Sequence, residues 1–301
     1  MPIWPAVSSH HGKRLASYVT GAALLWLWLL VPRAGAAESV ELRYRFASDQ
    51  QLAYLVKVRQ QVRLSSDLVA EAARTSTINS EAEMLQRVLA IRDGRARLQI
   101  SLGSFRASQA TEGLVHELRR VPEMEGIRLV VTRDEHGRVL KTEELGAEGR
   151  EMRVRQVALA FARAQQLLTL EFPSRTVAAG ESWQVERRVE VPLWSGRHLQ
   201  LVMQGDYTLE RLLPCRRQRC ARISARVRIT LAGRSDLGDI QLLADLQGSG
   251  RGRFLFGLDT GNLIRSECQT EIKGRLSAAD GDERTATGVN LRIAVNSELV
   301  R

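Results

Sequence analysis

The chain has 301 residues, with 44 Lys and Arg against 34 Asp and Glu, and a formal net charge of +10. A basic balance can indicate a nucleic-acid partner, but the arginines alternate with acidic residues along the chain instead of forming a cluster in the sequence. We therefore expect no nucleic-acid partner, and the charge is explained by solubility or by weak attraction to anionic lipid or polysaccharide.

Residues 1–36 have the composition of a signal peptide. They contain no Asp or Glu, carry Lys13-Arg14 before an apolar run over 15–31, and end in Ala34-Gly35-Ala36, the small residues that signal peptidase requires. Cleavage after Ala36 would start the mature chain at Ala37, and cleavage after Ala37 would start it at Glu38. An uncleaved membrane anchor is the alternative, but the apolar run is short for a bilayer span.

The signal peptide predicts export by the general secretory route to the periplasm or the exterior, with no stable transmembrane segment after cleavage. Without Lys13, Arg14 and Arg33 the net charge falls from +10 to +7. The remaining length is enough for one large domain or two small ones.

Alternation of apolar and polar residues recurs through this mature part. It is clearest over 221–231, where Ile223, Val227 and Ile229 alternate with arginines, and it returns over 95–102 and 289–296. Such alternation is typical of antiparallel strands with one buried and one exposed face. Further strands are predicted at 40–46, 51–64, 84–91, 126–133, 138–145, 183–191, 198–213, 240–246, 252–258 and 263–274.

Several turns are explicit in the sequence. Asp93-Gly94 favours a tight hairpin, and Glu135-His136-Gly137 and Asp259-Thr260-Gly261-Asn262 favour reversals. The glycine-rich run 248–252 lacks the Lys-Ser/Thr of a phosphate loop, so it predicts a bulge or a close approach of backbones.

One segment has a helical period. Residues 149–170 carry apolar side chains at three- and four-residue spacing, and Phe172-Pro173 would end a helix there. We therefore predict a connecting amphipathic helix within 149–172. Residues 69–80 are ambiguous between a helical turn, a long strand and a loop.

The fold class predicted is mainly β, with antiparallel sheets and this one long helix. A β unit at 37–148 and another at 173–301 share a similar order of strands and turns at an offset of about 125 residues, which indicates an internal duplication. The alternative is that any meander of hairpins resembles itself.

No residues form a catalytic or metal-ligating pattern. The mature histidines, His116, His136 and His198, lack ligand spacing, and no nucleophile elbow or nucleophile–base pair is evident. We therefore predict no catalytic residues, no metal and no cofactor.

Gly180-Glu181-Ser182-Trp183 follows Phe172-Pro173 and Val177 and precedes the glycine turn at 259–261. In this order of features the chain resembles a family of uncharacterised exported bacterial β-rich proteins with a central Gly-Asp/Glu-Ser-Trp element. The resemblance implies a non-enzymatic exported protein and supplies no catalytic residues. In structural terms, Gly180 makes a turn, Glu181 and Ser182 satisfy backbone groups, and Trp183 enters the core.

Three cysteines remain in the mature chain. Cys215 and Cys220 flank four residues between two predicted strands, so facing positions and an oxidising compartment predict a disulfide between them. Cys268 alternates in phase with Ile264 and Ile272, which predicts a buried free thiol.

The function favoured is a non-enzymatic envelope protein that binds lipid, another hydrophobic ligand or a partner envelope component on a curved sheet. If the two halves instead bury their apolar faces against each other, no pocket remains. A periplasmic hydrolase is the alternative function.

Overall fold

The computed structural model describes residues 38–66, 74–111, 114–115, 117, 119–145, 169–192, 198–215, 217–237, 240–280 and 283–301. Residues Ser39–Arg301 form one compact unit. Its described part consists of β-strands, connecting turns and extended segments, with a single 3-10 turn at Pro122–Met124. No helix long and apolar enough to cross a membrane occurs in these ranges.

The strands are long, and several exceed fifteen residues. In chain order they are β1 (Ser39–Val40), β2 (Gln51–Ser66), β3 (Arg74–Arg92), β4 (Arg95–Thr111), β5 (Leu114–Val115), β6 (Arg119–Arg120), β7 (Arg128–Asp134), β8 (Val139–Leu145), β9 (Val177–Ala178), β10 (Ser182–Pro192), β11 (His198–Cys215), β12 (Gln218–Leu237), β13 (Ile240–Gly257), β14 (Asn262–Asp280) and β15 (Glu283–Leu299).

Thirteen of these strands form one sheet in the order β10-β11-β12-β13-β14-β15-β2-β3-β4-β7-β8, with β5 and β6 also paired to β4. Every pairing is antiparallel, and most join strands that follow each other in the chain. The exceptions are β4, which also pairs with β6 and β7, and β15, which pairs with β2 and so joins the C-terminal strands to the N-terminal ones.

The sheet has two chemically different faces. Cross-strand partners lie on one face and successive residues alternate between faces, so the register assigns each side chain. One continuous row on what we call the apolar face is Met203, Ile229, Gly248, Ile272, Leu291 and Val62. The adjacent row, on what we call the charged face, is Gln204, Arg228, Ser249, Glu271, Arg292 and Gln61.

At one end of the strands, the apolar face is covered by two segments that cross it. They are residues 39–47 and 169–178, which are joined by the short β1–β9 pair. Their side chains pack with those of the sheet into the main core, which contains Leu42, Tyr44, Leu170, Phe172, Val177, Trp183, Tyr207, Leu209, Ala221, Ile223, Ala225, Phe254 and Phe256. We call this region the packed end.

The fold class predicted from the sequence is wrong in its long helix. The described residues contain no α-helix. Residues 149–168 of the predicted helix lie outside the described ranges, and Thr169 and Leu170 at its end are not helical, because Leu170 extends over the sheet and is buried in the main core. Strands from both predicted β units belong to one sheet. The internal duplication stays a prediction, and the boundary at 148 is outside the described residues.

Individual strands were predicted more successfully than their lengths. The alternating segments at 95–102 and 221–231 lie within β4 and β12, and Asp93 and Gly94 both have positive φ in the β3–β4 hairpin. Residues 41–46 belong to no strand, although a strand was predicted there, whereas the ambiguous region 69–80 forms β3 from Arg74 onward. The two strands predicted at 240–246 and 252–258 are one strand, β13.

Candidate ligand-binding face

Beyond the packed end, the apolar face continues over six strands without the aromatic cover. Most of its side chains there are aliphatic and partly buried, with Thr270 and Gln60 between them on the same face. We define the open apolar surface as Val62, Leu64, Ile78, Val227, Ile229, Leu231, Ile272, Leu276, Val289, Leu291 and Ile293. The most exposed of them is Leu64, at 43%.

Glycines of β13 shape the middle of this surface. Gly248 and Gly250 occupy the apolar face between β12 and β14. A Cβ at Gly250 would lie 2.8 Å from the carbonyl oxygen of Gln269 and 2.9 Å from Cγ2 of Val227. The backbones therefore approach closely, as the sequence predicted, although the pairing of β13 shows no bulge at 248–252.

The border with the packed end contains a buried arginine. Arg187 donates through Nε to Oε1 of Glu171 at 2.8 Å and through Nη2 to the carbonyl oxygen of Thr169. Trp183 donates through Nε1 to the carbonyl oxygen of Glu171 at 2.9 Å. The Tyr44 hydroxyl donates to the carbonyl oxygen of Leu170 at 3.1 Å. These bonds fix residues 169–171 across the sheet.

Arg133 is a second buried arginine at the packed end. Its guanidinium lies over the Tyr44 ring, with Cζ 5.4 Å from the ring centroid, and it donates to the Thr169 hydroxyl at 3.4 Å. Burial lowers the pKa of Arg133 and raises the pKa of Tyr44 because both charged forms lose solvation. This cation–π contact belongs to the core.

The Gly180–Trp183 element begins β10 and has a structural role. Gly180 has a φ of +89°, and the Glu181 carboxylate accepts from the Ala178 backbone N–H at 2.7 Å. Trp183 is buried in the main core. Ser182, however, bonds to the Thr208 hydroxyl at 2.8 Å, a side chain and not the predicted backbone group.

Cys215 and Cys220 lie at disulfide distance, as predicted, with their Cα atoms 5.9 Å apart. They are not facing positions, however, since strand pairing continues to Cys215 opposite Gln218. Cys268 is a free thiol on the apolar face, partly buried against the main core. Burial raises the pKa of this thiol to about 11.

Of the three histidines of the predicted mature chain, His136 lies in the β7–β8 turn, where its Nδ1 is buried. His116 and the side chain of His198 lie outside the part of the chain that the structure describes. Within the described ranges, no three His, Cys, Asp or Glu side chains group together as metal ligands do.

The charged face has a feature that sequence reasoning missed. An open cavity of about 860 Å³ extends across six strands, from β11 to β2. Five arginines and two acidic residues line it, namely Arg59, Arg226, Arg228, Arg251, Arg292, Asp206 and Glu271. Only the strand register brings these residues together, so alternation in the sequence identified an exposed face but not a concentration of charge.

No protein-family model and no curated protein matches this chain. Among solved structures, the chain is similar to lipovitellin, in a structure of its lipid–protein interactions, with a TM-score of 0.48 and 9% identity over 85% of this chain and 26% of that one. It is also similar to OccK5 (OpdH) of Pseudomonas aeruginosa, with a TM-score of 0.26 and 8% identity over 85% of this chain and 100% of that one. The chain thus spans about a quarter of the lipovitellin chain, and TM-scores below 0.5 do not establish a shared fold.

Proposed function

We propose that the protein is exported and binds the acyl chains of a lipid on the open apolar surface. The observation that carries this proposal is the aliphatic surface itself, which continues from the core over six strands and remains partly exposed. Contiguous apolar patches on soluble proteins commonly mark sites for ligands, membranes or partners.

The chemistry of the surface favours acyl chains over a protein partner. Protein interfaces are enriched in Tyr, Trp, Phe, Met and Arg, and these residues supply most of their binding energy. The residues that define the open apolar surface are all aliphatic, and those between them on the same face are small or polar, with no aromatic residue and one arginine, Arg74, at the edge. An acyl chain needs no hydrogen bonds, and each buried methylene contributes about 0.8 kcal/mol.

Neighbouring residues on β12 provide a matched test. Ile229 lies on the apolar face and Thr230 on the charged face, directly beside it in the chain. The mature protein would be titrated with a pyrene-labelled fatty acid, and we expect Ile229→Asp to weaken binding at least tenfold. Thr230→Asp should change it less than twofold.

Equal losses of fatty-acid binding in both variants, or no binding by the wild type, would contradict the proposal that this surface binds lipid. A dimer that separates on Ile229→Asp without any fatty-acid binding would identify a second copy as the occupant instead. Circular dichroism of each variant establishes that it is folded.

Export requires a separate experiment. N-terminal sequencing of protein from the envelope fraction should give Ala37 or Glu38 as the first residue, and native mass spectrometry of the same material should reveal bound lipid. An intact Met1 would contradict export by cleavage. No observation on the described residues favours a hydrolase over a binding protein.

A further inference from the structure

Four arginines meet on the charged face of β12 and β13. Arg226 lies directly opposite Arg251, while Arg228 and Arg253 follow two residues further along the same face of their strands. All four are exposed. We call them the arginine cluster, and three of its members belong to the cavity on this face.

The cluster is poorly neutralised by the protein. Within the described residues, Arg226, Arg251 and Arg253 have no hydrogen-bonded or ion-paired acid, and the carboxylate of Asp206 lies 3.9 Å from Arg228. Two acids do lie directly opposite cluster members, Asp206 opposite Arg226 and Glu267 opposite Arg253, but Glu267 is itself paired with Arg265 at 2.8 Å. Like charges directly opposite each other destabilise a pair of strands. The Cβ atoms of such a pair are only about 4.5–5.5 Å apart, so Arg226 and Arg251 repel each other, and a bound anion would reduce this repulsion.

The other acid in the cavity does not relieve this repulsion. Glu271 accepts from Arg292 at 3.0 Å and from Lys273 at 3.0 Å. Those two bonds lower the pKa of Glu271, Lys273 having the larger influence. Its charge is thus already shared between two cations on β14 and β15.

We propose that the arginine cluster binds an acidic polysaccharide. Guanidinium groups bind carboxylate and sulfate oxygens in bidentate fashion, and adjacent pairs of arginines can hold successive anionic groups of one chain. The cavity spans six strands, whose five spacings of about 4.8 Å give a width of roughly 24 Å, far more than a single anion occupies.

The lining of the cavity distinguishes this occupant from a nucleic acid. Sites for single-stranded nucleic acid combine positive charge with aromatic side chains on which bases stack. Among the described residues, no Phe, Tyr or Trp lines the cavity, whereas a flexible polyanion recognised through its charges needs no aromatic platform. This site is on the opposite face from the proposed lipid surface and does not depend on it.

The test uses a heparin decasaccharide and a polygalacturonate oligomer as probes for the mature protein. We expect the triple variant Arg226→Gln/Arg251→Gln/Arg253→Gln to bind at least one probe tenfold more weakly or worse. The slope of log K against log salt concentration should also become less steep by roughly one for each lost contact. The matched control, Arg92→Gln/Arg128→Gln/Arg138→Gln, removes the same charge from exposed positions outside the cavity and should change binding less than twofold.

Three results would overturn the proposal. They are equal losses in both triple variants, competition by free sulfate as effective as that of the oligosaccharides at equal anion concentration, and tighter binding of an oligothymidylate than of either saccharide. Thermal unfolding distinguishes a folding defect from a binding defect. Without a probe, the cluster variant should melt no lower than the wild type, and the probe should raise the melting temperature of the wild type but not that of the variant. Fatty-acid binding, measured in parallel, should be unchanged in both triple variants.

Discussion

The two ends of β12 have the same alternating pattern of residues, but their apolar side chains are buried to different extents. Ala221, Ile223 and Ala225 are buried, whereas Val227, Ile229 and Leu231, on the same face of the same strand, are partly exposed. The difference comes from segments 39–47 and 169–178, which cross the face at one end. Alternation therefore determines which side chains can be buried, and distant segments determine which of them are.

The aromatic residues follow the same division. Phe172 contacts Phe256 with ring centroids 4.6 Å apart, and Tyr44 contacts Phe256 at 5.3 Å, so the crossing segments supply rings that interlock with those of the sheet. The open apolar surface has no ring. The packed end is a core, and the open surface is where we expect a ligand.

The largest expected effect is the loss of an aromatic ring at the packed end. Phe256 is fully buried, so Phe256→Ala should lower the free energy of unfolding by about 3–5 kcal/mol. Ile272→Ala on the open apolar surface should cost only about 1 kcal/mol, because much less burial is lost. Urea denaturation measures both, and similar losses would mean that the open surface is as well covered as the core.

The next effect concerns the buried ion pair that holds one crossing segment. Arg187→Met would leave the carboxylate of Glu171 without its 2.8 Å partner, at an expected cost of about 3 kcal/mol. The adjacent Arg188 pairs with Glu186 on the charged face, where both side chains are exposed, so Arg188→Met should cost under about 1 kcal/mol. Equal destabilisation of the two variants in urea would show that Arg187 does not hold residues 169–172 against the sheet.

A smaller effect is expected where β13 approaches its neighbours at the open surface. The Cβ of Gly250→Val would meet the Gln269 carbonyl and the Val227 side chain, which should cost about 1–3 kcal/mol through overpacking. Ser249→Val, on the exposed charged face beside it, should remain within about 0.5 kcal/mol of the wild type. Neutral behaviour of Gly250→Val in thermal unfolding would contradict the close approach of β13 and β14.

The sequence allowed the faces of most strands to be predicted, but not their ends. Residues 103–111 continue β4, and 74–80 begin β3, although both stretches are rich in Ser, Thr and other polar residues and lack alternation. They are strands because they pair with each other, Ser76 with Thr111 and Ile78 with Gln109. Such pairing is a tertiary effect that local propensity does not contain.

The helix prediction failed at its described end for a related reason. Spacing alone assigned Leu170 to a helical face, whereas bonds from Tyr44 and Arg187 hold the chain there across the sheet in a non-helical conformation. These partners come from remote positions in the sequence. The arginine cluster was missed in the same way, because Arg226 and Arg251 meet only through the β12–β13 register.

The smallest effect is expected at the disulfide, and it tests what holds the packed end together. Cys215 and Cys220 close a loop of only six residues, for which the chain-entropy contribution is at most about 2 kcal/mol. Strand pairing on both sides of the turn already fixes the hairpin, from Leu213 opposite Cys220 to Cys215 opposite Gln218. Mild reduction of the wild-type protein should therefore lower its stability in urea by less than Phe256→Ala does, with protein reoxidised after reduction as the control. A loss on reduction as large as that of Phe256→Ala would mean that the cross-link, and not the aromatic core, stabilises this end of the sheet.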